Sequence, residues 1–200
     1  MLDQLLEIRG SLRGQIVHLE RSLSDGSAVL DVVVERSDRP RPERQRWRIE
    51  VRGVLEFVLR SHEIPSISLV ERHPALWGYD QPQVELYFQG RVENIHATIG
   101  RVQEAHSVAG RGWIPFGAFF NDGVPLHALL AMSSGLFATG PLSVIRAYQE
   151  VLEAAGLRCS VLPESSAGLE PIENLRALIL GTSYVIATEF SAEWAEGRNT

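Results

Sequence analysis

Three observations predict an α+β fold built on mainly antiparallel sheet. Period-2 alternation runs to about residue 90, a helical period occupies 92–156, and short apolar strands return after 157. The expected arrangement is an N-terminal antiparallel β-meander of five to six strands, three central helices packed on the sheet, and a C-terminal β-hairpin. Residues 1–200 read as a single α+β domain, β-rich over 12–90, helical over 92–156 and with C-terminal strands over 157–190. That length is ample for a buried core.

The first two strands, 15–23 and 27–36, flank Asp25-Gly26, a tight-turn pair in which glycine accepts positive φ. In the second strand Leu30, Val32 and Val34 face one way, and Asp31, Val33 and Glu35 the other. The charged, proline-bearing stretch RSDRPRPERQ, residues 36–45, forbids a central strand. From Arg44 to Val51, Trp47, Ile49 and Val51 alternate with Arg44, Arg46, Arg48 and Glu50, so the arginines are expected on the watery face. Gly53 then marks a turn or bulge before strands at 54–60 and 66–72. Residues 84–90, VELYFQG, end like a protease site used behind purification tags, but Val84, Leu86 and Phe88 alternate with Glu85, Tyr87 and Gln89. The segment reads as a native strand, closing a hairpin with 66–72.

The period changes at Val92. Val92, Ile95, Ile99, Val102 and His106 step by three and four, one apolar stripe ending at Gly110. Residues 124–135 and 140–156 each place proline near a helix start and glycine past its end, and the short LFAT between them predicts an antiparallel helix pair. The second helix is expected to bury Leu142, Ile145, Tyr148 and Leu152. Strands are expected at 157–162 and on both sides of Gly181, with a short helix at 191–197 begun by Ser191.

Composition narrows the chemistry. All 19 basic residues are arginine. Schiff-base chemistry on lysine and a phosphate-loop lysine are therefore excluded. One cysteine, Cys159, excludes an intramolecular disulfide and a cysteine-based zinc site. No signal-peptide pattern and no long apolar span is visible, so the expected setting is cytoplasmic, without membrane. Between Arg36 and Arg52, seven arginines stand against Asp38, Glu43 and Glu50, a local charge of +4 in a chain of −6, leaving −10 elsewhere. Nucleic acid is an unlikely partner for so acidic a chain.

Two loops concentrate large side chains. Residues 72–82 hold His73, Trp77, Tyr79 and Asp80, aromatic contact area beside a pairing of acid and imidazole. Residues 110–123 hold Arg111 between two glycines, then Trp113 and three phenylalanines. The sequence-level expectation is a non-enzymatic protein that binds another protein, or a second copy of itself, through His73, Trp77, Tyr79, Asp80, Arg111 and Trp113. It assigns no catalytic residue, metal or cofactor. The alternative is a small-molecule enzyme or receptor whose pocket, between sheet and helices, is lined by His73, Asp80 and Arg111.

Overall fold

A computed structural model describes residues 2–6, 12–22, 26–36, 43–121, 123–164 and 172–195. In chain order the elements are α1 (Leu2–Leu6), β1 (Leu12–Ser22), β2 (Ser27–Arg36), β3 (Glu43–Arg52), β4 (Glu56–Val58), β5 (Glu63–Ile64) and β6 (Ile67–Val70). A 3-10 turn (Pro74–Leu76), α2 (Trp77–Asp80), β7 (Gln83–Gln89), α3 (Ile95–Gly110), α4 (Leu126–Ala131), β8 (Ser134–Pro141) and α5 (Leu142–Ala154) follow. The chain closes with β9 (Arg158–Pro163), β10 (Arg176–Leu180), β11 (Ser183–Ala187) and β12 (Glu189–Ala195). The fold is mixed α+β, and every strand pairing among the described residues is antiparallel.

The chain divides into two compact units, residues 1–73 with 172–200, and residues 74–171. The first holds two sheets, ordered β12-β3-β2-β1-β5 and β4-β11-β10-β6. Alternation explains their shared core. Leu30, Val32, Val34, Trp47, Ile49 and Val51 from one sheet meet Leu178, Leu180, Val185 and Ala187 from the other, all buried. Each such aliphatic side chain contributes roughly 1.5–3 kcal/mol by leaving water. The β10–β11 turn needs glycine: Gly181 sits at φ +62, and a Cβ there would meet the Pro65 ring at 2.6 Å.

The second unit is a three-stranded sheet, β8-β7-β9, carrying α5, on which α3 packs. Val84, Leu86 and Phe88 are buried against Val102, Val144, Ile145, Tyr148 and Leu152, so the alternation read over VELYFQG places the strand correctly. Its partners differ from expectation. β7 lies between β8 and β9, while β6 pairs with β10, because Ile67 and Leu69 pack into the first core and the β7 residues into the second.

Three further expectations are corrected. Residues 134–141 form β8, so LFAT lies inside a strand, and Leu126–Ala131 is all that remains of the helix expected at 124–135. The apolar run Leu136–Ala138 follows Ser134-Gly135, and pairing with β7 outweighs the helix preference of Leu136 and Ala138. The expected strand at 54–60 contracts to Glu56–Val58. The described part of 191–197 is strand, since Phe190, Ala192 and Trp194 alternate along β12 opposite Val51, Ile49 and Trp47. The Asp25 half of the first turn and residues 37–42 of the charged stretch lie outside the described residues, while Arg36 ends β2 and Glu43–Gln45 open β3.

Inside the second unit, His106 is buried and bonded at both ring nitrogens. Nε2 lies 2.8 Å from the Ile114 carbonyl, which can only accept, so it carries the hydrogen. In the neutral ring Nδ1 then accepts from the Tyr148 hydroxyl at 2.6 Å. Burial pushes the Tyr148 phenol above its ordinary value, keeping that donor protonated. Tyr148→Phe is expected to cost about 1–2 kcal/mol, the loss of one buried hydrogen bond, read as a lowered midpoint of denaturation.

Candidate functional site

The first unit carries a site on the face of its five-stranded sheet opposite the core. The pairing register sets it out as rows. Arg44, Glu35 and Arg13 lie side by side across β3, β2 and β1; Arg46, Val33, Gln15 and Glu63 form the next row, and Glu193, Arg48, Asp31 and His18 the third. The arginines of β3 point outward, as their alternation predicts, and are tethered there. Arg44 Nε donates to Glu35 at 3.2 Å, Arg46 to Asp31 Oδ2 at 2.7 Å and Arg48 to Asp31 Oδ1 at 3.1 Å.

Asp31 is the residue that sequence reasoning undervalued. Assigned to the watery face, its side chain is only 4% exposed because the two guanidinium groups lie over it, on arginine side chains that are 49% and 46% exposed. Burial raises its pKa, but hydrogen bonds from Arg46 and Arg48, with their charges, outweigh burial and hold the carboxyl below its usual value. Two long side chains are thus held in place by one acid, which reduces the rotamer entropy they would lose on meeting a ligand.

At the β5 end of this face lies a cleft of about 670 Å³. Arg13, Arg44, Glu35 and Glu63 supply its charge, and Val17, Val33, Ile64 and Pro65 its apolar surface. Two local features shape it. A β-bulge between Ile16 and His18 makes Val17 the extra residue of β1 and turns it outward, 49% exposed among charged neighbours. Gly14 lets β5 come close, since a Cβ there would stand 3.1 Å from both the Cβ and the carbonyl oxygen of Ile64. Glu35 between two arginines leaves one net positive charge along that row.

The residues singled out from sequence fall elsewhere. His73 is half-buried and ends the first stretch of the first unit, while Trp77, Tyr79 and Asp80 open the second. Trp77 packs partly against the second core, and its carbonyl accepts from Gln83 Nε2 at 3.2 Å. Tyr79 is half-buried; Asp80 is exposed, and partial desolvation raises its carboxyl despite a backbone hydrogen bond. Arg111 caps α3 in the left-handed region at φ 49 and is exposed, with half-buried Trp113 turning back to the Gly110 carbonyl. In the same loop Phe119 and Phe120 pack on the second core, and Phe120 stacks on Tyr148 at 5.3 Å. The cleft is lined by none of His73, Asp80 and Arg111.

Among the described residues no group of three or more His, Cys, Asp or Glu gathers as a metal cluster, and no helix is long and apolar enough to cross a membrane. Cys159 is half-buried, its thiol pushed up to about 11 by burial and by Glu153, which suits a packing residue better than a nucleophile. No family model, curated protein or solved structure matches this chain.

Proposed function

We propose that the protein works by binding another protein, as an adaptor, assembly subunit or immunity-type inhibitor, and that the outer face of its five-stranded sheet is the main contact. The carrying observation is the cleft at Arg13 and Arg44, continuous with the tethered arginines of β3. Arginine held in place by a neighbouring acid keeps donors free for a partner's carboxylate, and its planar fork suits that group. Val17 and Val33 offer apolar contact beside the charges, so the cleft fits a short peptide segment bearing one acidic and one apolar side chain. Trp77, Tyr79 and Asp80, with His73, Arg111 and Trp113, stay in the proposal as secondary contact residues on the strength of the aromatic area of Trp77, Tyr79 and Trp113 and the charges beside it.

A second reading has one observation in its favour. The cleft volume of about 670 Å³ lies within the range of small-molecule sites, roughly 300–1,000 Å³. A receptor for an amphipathic carboxylic acid would use the same two arginines.

Panning a random peptide library on the immobilised chain, beside an Arg13→Glu/Arg44→Glu variant, tests the proposal. Expected is enrichment of peptides with an acid next to an aliphatic residue, lost in the variant. Equal enrichment on both proteins, or none on either, counts against it. Binding confined to small carboxylic acids moves the assignment to the second reading.

A further inference from the structure

The second unit holds a pair of side chains that the sheet-face reading does not use. His96 lies in the first turn of α3 and His127 in the first turn of α4; both are exposed, and their ring centroids are 5.4 Å apart. Their backbones are well fixed. The Asn94 side chain accepts from the Ala97 N–H at 3.0 Å and its carbonyl from Thr98 Oγ1 at 3.0 Å, closing the start of α3. Buried Leu129 and Leu130 hold α4, and α3 packs on it. These are rigid elements bearing solvent-facing imidazoles.

We infer that His96 and His127 form a two-histidine site for a divalent transition-metal ion. Spacing carries the argument. An imidazole nitrogen binds Zn²⁺ at about 2.0–2.1 Å, which places each ring centroid about 3.2 Å from the metal. Two rings at a tetrahedral angle then have centroids about 5.2 Å apart, close to the observed 5.4 Å. Imidazole selects zinc, nickel and copper over magnesium and calcium, which prefer oxygen ligands. The pair bridges residues 31 positions apart, so an ion there ties α4 to α3. Water fills the remaining positions, making the site a reversible one.

The test is titration of the full chain with Ni²⁺ and, separately, Zn²⁺ by calorimetry, beside His96→Ala, His127→Ala and, as control, His62→Ala, an exposed histidine of the first unit. Expected is one ion per chain, with affinity reduced at least about tenfold in either paired variant, since each loses one of two protein ligands. The control should bind as the parent does. The parent's thermal midpoint should rise with Ni²⁺, and the paired variants' should not. Absence of binding at millimolar ion, or an affinity unchanged in either paired variant, overturns the assignment. All these readouts are independent of peptide binding, so failure here leaves the sheet-face proposal standing and the converse holds too.

Discussion

Phe88→Ala is expected to lower stability by about 3–5 kcal/mol, the cost of emptying a large buried aromatic site. Phe88 sits in the central strand of the second sheet, 3% exposed. It faces Gly135 on β8 and Cys159 on β9, and its ring meets Phe137 edge-on at 6.3 Å. Gly135 has no side chain to move into the space, and Leu86 and Phe137 are already fully packed. The hole therefore collapses poorly, which places the cost at the upper end of that range. Urea denaturation reads the effect directly. Gln89→Ala, next along the strand and exposed, is the control and should change stability by less than about 0.5 kcal/mol. Comparable losses in the two variants would mean that the facing of β7 is misassigned.

Much of that strand was legible in the sequence. Period-2 alternation gives facing without any knowledge of partners, which is why Phe88, Trp47, Ile49 and Leu30 fall inside as expected. Partner choice was not legible. β6 and β7 are neighbours in sequence and both alternate, so a hairpin is the natural reading; the division between two cores that separates them is a property of the whole chain. β8 was missed for a related reason. Pro141 precedes a strong helix, and a proline near a helix start also ends a strand, as it does here while serving as the N-cap of α5.

The site divides in the same way. The outward arginines of β3 were legible, and their tethers were not, because the register of β2 against β3 cannot be read through the charged connection between them. Only that register puts Arg48 opposite Asp31 and brings Arg46 within reach of the same carboxylate. The cleft was hidden too, since it depends on a bulge at Val17 and on the close approach of β5 to Gly14. The aromatic loops were conspicuous because each gathers several large side chains within a few residues, yet Trp77 and Phe120 contribute to the second core.

Replacing Arg46 and Arg48 together by glutamine is expected to cost about 2–3 kcal/mol at neutral pH. Viewed as a solvated row, these arginines would contribute almost nothing. What changes the expectation is Asp31, whose carboxylate they cover. Stripping the partners from a buried charge costs about 3–5 kcal/mol, and the figure is reduced here because both arginine side chains are about half exposed, so water can partly replace them. Arg44→Gln should be nearly neutral, since Arg44 is 77% exposed and Glu35 lies closer to the surface than Asp31. Acid separates charge from packing. In the native chain the Asp31 pKa is held below its unfolded value, so its stabilising contribution is complete above about pH 5 and lost as pH falls through the folded pKa. In the double variant only burial remains, which raises that pKa and makes the ionised form a liability at pH 7 that protonation relieves. The stability gap between the two proteins should therefore be widest at pH 7 and smaller at pH 4 in chemical denaturation. Adding Asp31→Asn to the double variant should recover most of the loss at pH 7, because an amide needs no counter-charge. A gap that stays constant with pH, or a triple variant no more stable than the double, would show that the arginine stems stabilise β3 by packing and that Asp31 is incidental.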